Sequence, residues 1–319
     1  MNRLTIVMYH YVRSREHGRY PNLRVRDTAE FRAQLDYIQE HYIPVSADDV
    51  ALALDGGHPL PERACLLTFD DGYLDHFITV FPELARRGLS GAFYPPVEAI
   101  QGQKILEVNK IQLLLAQYGY GDVHPLLEKL EALYGVCQCE DGSGELNESF
   151  THLRQRLTVP SRFDSADIMF VKALLQYALP PFWRTRLLDR LFAEVMETDE
   201  KVIAAEMYMS LDMLRVMAKS GMHVGSHGAS HVWLDKLSAD EQALEIDQSL
   251  AMLAEVYGTR QFLWSMCYPF GGNNDDTRRL CSERGCAFGV TTVPNIAELN
   301  PEQQFKLSRL DTNDVLYHH

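Results

Sequence analysis

The chain has 319 residues, 46% of them apolar, enough for one large domain or two ordinary ones around a sizeable core. Its formal net charge of −14 argues against nucleic acid or anionic membrane as a main partner. There is no run of about 18 apolar residues, so no membrane span is expected, and six cysteines make no disulfide framework in a chain this long.

Leu4 to Tyr9 reads as a first strand. Its apolar run is too short for a signal peptide and is broken by Tyr9-His10, with no small-residue cleavage site after it. The expected compartment is therefore the cytoplasm, which suits reduced thiols. His10 sits at the strand's end. A loop with Arg13, Arg15, Arg19, Arg24 and Arg26 follows, either a solvated face or a surface for an anionic substrate. Asp27 with Glu30 predicts a capping box for a helix over 28–41, with Phe31, Leu35 and Ile38 as its apolar stripe. Ser46 to Asp49 opens a second, short helix.

The apolar run Ala64 to Phe69 predicts a buried parallel strand. It ends in Asp70-Asp71-Gly72. The turn at Gly72 can splay the two carboxylates, so that one holds a metal while the other stays free as a base. Asp-Asp-Gly alone is also ordinary turn chemistry. A helix over 74–87 is stopped by Gly88, and Ser90 to Tyr94 is the next strand. Residues 97–204 then hold several helical patterns, including the stripes Leu126, Leu127, Leu130, Leu133 and Leu187, Leu188, Leu191, Phe192, Val195. Between them, Cys137 to Asn147 reads as a polar loop, and Cys137-Gln138-Cys139 is a weak metal pattern without a second pair. Within this stretch Glu107, Asn109 and Lys110 are expected to cap a site and favour a small substrate.

Strand-helix alternation returns at Met207. A helix over 211–219 leads to strand Met222 to Gly225. Ser238 with Glu241 opens a long helix to Tyr257, stopped by Gly258. Strand Phe262 to Tyr268, a helix over 275–284, strand Ala287 to Thr291 and strand Lys306 to Leu310 complete the pattern. Repeated strand-helix units predict parallel strands with crossover helices, in a barrel or a doubly wound sheet. The closing His318-His319 pair is set aside as a tag remnant.

Two imidazoles at the spacing His227-x-x-x-His231 share one face of a helical turn, as two ligands of one metal need. They follow a predicted strand, as Asp70 and Asp71 do, and in parallel strand-helix folds all such ends lie on one side. Two histidines and one carboxylate form a catalytic metal set. Cys267-Tyr268-Pro269-Phe270-Gly271-Gly272 follows another strand. Tyr268 offers there a backbone N–H for an oxyanion or an aromatic face for a sugar, and the glycines allow close backbone approach.

In this order, Thr68-Phe69-Asp70-Asp71-Gly72, Ser226-His227-x-x-x-His231 and Tyr268-Pro269-Phe270-Gly271 resemble the motifs of the polysaccharide deacetylase family, the NodB-homology domain of carbohydrate esterase family four. The resemblance covers residues 1 to about 96 and 205 to 312. It implies an α/β fold, a distorted (β/α)7 barrel, formed by 1–96 and 205–319 as one discontinuous domain with 97–204 as a helical insertion. It implies Asp70 as general base and Asp71, His227 and His231 as ligands of one divalent metal, with zinc first and cobalt, nickel or iron also suited to such donors. The implied reaction is metal-dependent hydrolysis of an N-acetyl group from a sugar, less often an O-acetyl group.

Two departures stand out. Cys267 stands where many members have an arginine that orients the base, and Arg309 is expected to replace it from another strand. The last strand lacks the late histidine that many members use as general acid. Tyr9-His10 resembles the N-terminal Tyr-His of a permuted branch, which makes His10 the expected acid. Tyr268, Phe270, Gly271, Arg309 and Asp311 are expected to line the substrate site. The lack of a leader points to a nucleotide- or lipid-linked precursor, with a polysaccharide as the other substrate. The alternatives are a catalytically silent sugar-binding barrel and the same chemistry on another acyl group such as formyl. Homo-oligomerisation is left open.

Overall fold

The structure, a computed structural model, describes residues 3–16, 18–159 and 164–315, so the His318-His319 pair lies outside the described residues. Its strands are β1 Arg3–Tyr9, β2 Ile43–Pro44, β3 Ala64–Asp70, β4 Ala92–Tyr94, β5 His223–Val224, β6 Met266–Cys267, β7 Gly289–Val290, β8 Ala297–Glu298 and β9 Leu310–Asp311. The chain divides into two compact units, one of residues 1–14, 25–104 and 204–319, the other of residues 15–24 and 105–203.

The first unit is a closed ring of parallel strands. β1 pairs with β3 from Leu4↔Ala64 to Tyr9↔Phe69, β3 with β4, and β4 with β5. A single parallel bridge, Ser226 to Met266, continues to β6, which pairs with β7. A second bridge, Val290 to Leu307, leads into the segment that becomes β9, and β9 pairs with β1 in parallel. Seven strands thus close a barrel, continuous from β9 through β5 and stitched by isolated bridges elsewhere. That uneven stitching is the distortion, and the expected strands are shortened around it, Met222 to Gly225 becoming His223–Val224 and Ser90 to Tyr94 becoming Ala92–Tyr94. Of Phe262 to Tyr268 only Met266–Cys267 forms a ladder, of Ala287 to Thr291 only Gly289–Val290, and the last strand is Leu310–Asp311 instead of Lys306 to Leu310. β2 and the antiparallel β8 flank the ring and have no counterpart among the expected strands.

Alternation along the strands sorts the core into two layers. Val7, Tyr9, Leu67 and Phe69 pack with Phe31, Leu35, Leu84, Leu214, Leu253 and Leu280 of the surrounding helices. Leu4, Ile6, Leu66, Tyr94, Phe288 and Val290 form a separate cluster. Two-residue periodicity puts Asp70 on the face of Leu66 and Thr68. β3 is buried along its whole length, as a strand covered on both sides must be.

The helix starts follow their capping chemistry. Asp27 and Glu30 form the box that opens Thr28–His41, Ser46 and Asp49 the one before Ala47–Leu54, and Ser238 and Glu241 the one before Ala239–Tyr257. Gly88 and Gly258 end helices in the left-handed region, at φ 68° each. The helix expected over 74–87 opens instead with a wide π turn, His76–Val80, before Phe81–Arg87.

The second unit is helical, with Glu107–Gln117, His124–Glu140, Phe150–Leu157, Ala166–Ala173 and Pro181–Met196 as main helices. The loop expected from Cys137 begins later, because the helix runs to Glu140, with Cys137 buried in it and Cys139 exposed. Helix Val97–Gln101 belongs to the barrel unit, not to the helical one. Its N-terminal Val97 and Glu98 N–H groups donate to the Gly228 and Ala229 carbonyls at 3.3 and 2.9 Å. Such free donors at a helix start need partners, which this loop provides.

Candidate metal centre and adjoining base

Parallel pairing brings the ends of β1, β3, β5 and β6 to one side of the barrel, and these ends carry His10, Asp70-Asp71, His227-His231 and the Tyr268–Gly272 turn. The two adjacent carboxylates part there. Asp70 is the last residue of β3, whereas Asp71 turns to φ 71° and Gly72 to φ 71°. A non-glycine residue in this region is strained, and such strain gathers at functional sites. Gly72 admits no side chain, since a Cβ there would lie 2.8 Å from Pro95 Cβ.

Asp71 Oδ2 accepts a hydrogen bond from the Tyr73 hydroxyl at 2.6 Å. Its Oδ1 lies 3.4 Å from His227 Nε2 and 3.2 Å from His231 Nε2. It is buried and accepts no hydrogen bond. His227 Nδ1–H donates to the Cys267 carbonyl at 2.6 Å, which leaves the Nε2 lone pair facing Asp71. Ligand atoms of Asp71, His227 and His231 all lie within 4.8 Å of one another. Lone pairs that converge on a buried, unpartnered carboxylate oxygen need a cation between them, so this set fits a divalent metal. Burial alone would raise the Asp71 carboxyl, but the close approach of both imidazoles holds it well below the usual range. Burial lowers the His227 imidazole, and the neighbouring Cys267 and Asp71 side chains more than reverse this. At His231 burial prevails and the shift is downward.

The two histidines do not lie on a helical turn. Residues 226–231 form an irregular loop with Gly228 at φ 70° and His231 at φ 56°. The four-residue spacing converges here through left-handed backbone.

Asp70 is held differently. Arg309 Nη1 donates to its Oδ1 at 2.9 Å and Nη2 to its Oδ2 at 2.8 Å. Arg309 is 1% exposed, and its other N–H groups reach Thr291 O, Thr68 Oγ1 and Cys267 Sγ. Burial raises the Asp70 carboxyl, but the guanidinium charge and its hydrogen bonds overcome this and keep it below the ordinary value. Asp70, His227 and Cys267 form a second triple of metal-capable atoms, but both Asp70 oxygens are already taken by a buried cation. The orphaned Asp71 oxygen makes the first set the better metal site.

His10 Nε2 lies 4.0 Å from Asp70 Oδ2, with its side chain 41% exposed. Its carbonyl accepts a hydrogen bond from His76 Nε2–H at 2.8 Å. His76 is fully buried, and burial pushes its pKa down to about 4, so it stays neutral. Both His76 and Tyr73, which stacks on Tyr11 at 3.9 Å, are absent from the sequence-based site. The aromatic-rich Asp-Gly-Tyr-x-x-His run was their only trace.

Several expected substrate contacts are corrected. Tyr268 is buried, its N–H donates to Val290 O at 3.2 Å and its hydroxyl to Phe305 O at 2.9 Å. It therefore offers neither an oxyanion donor nor a sugar platform, because the barrel ladder and the core consume both. Gly271 N–H donates to Tyr268 O at 2.8 Å. Arg309 is sealed onto Asp70, away from any substrate. Asp311 Oδ1 accepts from Asn313 N at 2.8 Å and Nδ2 at 2.6 Å, capping a turn. Phe270 does stand at the centre, at φ 56°, stacked on Trp233 at 4.6 Å and edge-on to His231 at 4.7 Å. In the helical unit, Glu107 bonds Arg184 and Thr185, Asn109 bonds Gln112, and Lys110 pairs with Asp189 and Glu200. Internal packing occupies all three. The Cys137-Cys139 pair joins no metal-capable cluster among the described residues. Of the arginines near the N-terminus, Arg13 pairs with Asp75, Arg24 with Asp164 and Arg26 with Glu30.

The resemblance to polysaccharide deacetylases is borne out by comparison with known proteins. A family model described as Polysaccharide deacetylase matches residues 183–289, which include His227, His231 and the Tyr268–Gly272 turn. A poly-beta-1,6-N-acetyl-D-glucosamine N-deacetylase of Escherichia coli (strain K12) is 47% identical over 58 residues, 18% of this chain and 9% of that relative's length. Among solved structures, IcaB from Ammonifex degensii has a TM-score of 0.56 at 17% identity, covering 99% of this chain and 95% of its own. The Streptococcus pyogenes deacetylase PplD, solved with acetate, has a TM-score of 0.56 at 16% identity, covering 97% of this chain and 92% of its own. At these identities the two structures establish a shared fold.

Proposed function

We propose that this chain, a relative of the polysaccharide deacetylases, is a metal-dependent hydrolase that removes an N-acetyl group from an amino sugar. The observation that carries the proposal is the buried, unpartnered Oδ1 of Asp71 facing two imidazole nitrogens. Asp71, His227 and His231 would hold one divalent ion, and their two imidazoles and single carboxylate suit zinc, with cobalt, nickel and iron as alternatives. When bound, such an ion polarises the acetyl carbonyl and acidifies water.

The remaining roles belong to the chain's own groups. Asp70, kept ionised by Arg309, takes a proton from the attacking water. Its carboxylate cannot rotate, because both oxygens are clamped. Phe270, at φ 56°, stands one residue past Pro269 with its ring 4.7 Å from that of His231, so its N–H takes the oxyanion role that Tyr268 cannot fill. His10 gives a proton to the departing amine, an exposed imidazole near the base and steadied by His76.

The experiment is acetate release by metal-loaded protein from a panel of nucleotide-linked amino sugars, N-acetylglucosamine oligosaccharides and poly-β-1,6-N-acetylglucosamine. Release from at least one of these is the expected result. Sugar and metal binding without release of any acyl group, from acetylated or formylated sugars, would overturn the proposal.

A further inference from the structure

The segment between the two histidine ligands contains no regular secondary structure, yet it is gripped from two directions. On one side, the Val97 and Glu98 N–H groups hold the carbonyls of Gly228 and Ala229 at 3.3 and 2.9 Å. On the other, the Glu245 carboxylate, two turns into helix Ala239–Tyr257, takes the loop's own donors. Its Oε2 accepts from Ala229 N at 2.8 Å and Ser230 N at 3.0 Å, and its Oε1 from Ser230 Oγ at 2.5 Å. The left-handed residues Gly228 and His231 flank these contacts, at φ 70° and 56°. A Cβ on Gly228 would lie 3.1 Å from Glu245 Oε2, so the glycine allows the carboxylate to approach.

We infer that Glu245 is a positioning residue for the metal centre: by binding Ala229 and Ser230 it fixes the strained loop that aims His231 Nε2 at Asp71. This rests on the reading of Asp71, His227 and His231 as metal ligands. Charge-assisted bonds to backbone N–H groups are roughly twice as strong as neutral ones. Without them, two backbone N–H groups lose their acceptor and the loop is held from one side only, by Val97 and Glu98, so that Ser230 and His231 can relax out of the strained conformation. His227 is fixed independently, through its bond to the Cys267 carbonyl. The loss therefore falls on one ligand of three, and the metal is loosened without the site being abolished.

The test is zinc binding to metal-free wild type, E245Q and E245A, followed by the visible absorption of their cobalt(II) forms. Outer-shell partners of metal ligands typically change affinity by about 10- to 100-fold, and E245A is expected in that range with an altered cobalt spectrum. E245Q keeps the shape and an acceptor oxygen, so it should recover most of the lost affinity and the wild-type spectrum. The melting temperature of the metal-free proteins separates this from general damage, and E245Q alone decides if E245A does not fold: a spectrum matching wild type with affinity a few-fold lower supports positioning. Zinc affinities within twofold of wild type for the variants that fold, with unchanged spectra, would overturn the inference. Failure of wild type itself to bind zinc or cobalt would instead overturn the underlying metal assignment.

Discussion

Arg309 and Asp70 form a bidentate ion pair, 2.9 and 2.8 Å, with the guanidinium entirely buried between β9 and β3. Its fifth contact is the Cys267 sulfur at 3.2 Å. A smaller side chain at position 267 thus leaves room for an arginine that arrives from the far end of the chain. The pair keeps Asp70 charged and fixed, which separates its task from that of Asp71 beside it.

Removing the arginine should therefore change a pH profile. In R309M, burial would act on Asp70 with its main opposing cation gone, and its pKa would rise. The acidic limb of kcat/KM should move to higher pH, with activity lost in mildly acidic buffer where wild type still works. Breaking a buried pair also costs about 3–5 kcal/mol of stability, so the profile is to be measured at low temperature alongside urea unfolding.

Tyr73 should tune the metal. Its hydroxyl donates to Asp71 Oδ2 at 2.6 Å, and Y73F removes that bond with little change in shape. Zinc affinity measured by competition with a chelator should fall about 10- to 100-fold, whereas H227A should bind no stoichiometric zinc.

His10 should matter in proportion to how poor the leaving group is. H10A should lower kcat for an N-acetyl sugar by about 100- to 10,000-fold, the range of general acid catalysis. An aryl acetate, whose leaving group needs no proton, should be hydrolysed at nearly the wild-type rate. Equal effects on both substrates would remove His10 from the acid role.

His223 carries a stability prediction. It is buried, its Nε2 lies 2.8 Å from Ser265 Oγ, and burial lowers its pKa to about 4. The unfolded chain, with a histidine pKa of about 6.5, binds the proton first as pH falls. Stability is therefore present above about pH 6.5 and is lost as pH drops toward about 4, by roughly 2 kcal/mol between pH 7 and 5 for this one group. Urea unfolding of the metal-free protein at the two pH values checks it, with H223Q expected to show a correspondingly smaller loss.

Much of this centre was legible in the sequence because motif residues sit at strand ends, where parallel pairing gathers them. Asp70, Asp71, His227, His231 and His10 could be placed on one side of a parallel strand-helix fold from the rhythm alone, and the resemblance made that fold a barrel. The exchange of Cys267 for Arg309 was readable only through the family resemblance, which marks an arginine as missing just before the Tyr268–Gly271 motif. What was hidden depends on where backbone groups point. The Tyr268 N–H could not be known to join Val290 before the ring's closing bridges were seen. Nor could His76 and Glu245 be found, for each acts through a carbonyl or amide of a loop distant in sequence. The histidine pair was read as helical because its spacing fits a helix, yet Gly228 and His231 reach the same convergence through positive φ.

The central claim is that two adjacent carboxylates do different work, Asp71 holding the metal and Asp70 serving as base. Calorimetric titration of zinc into metal-free wild type, D70N and D71N tests it most directly. The account predicts one equivalent bound by wild type and by D70N at similar affinity, and no stoichiometric binding by D71N. Loss of zinc binding in D70N with retention in D71N would contradict it.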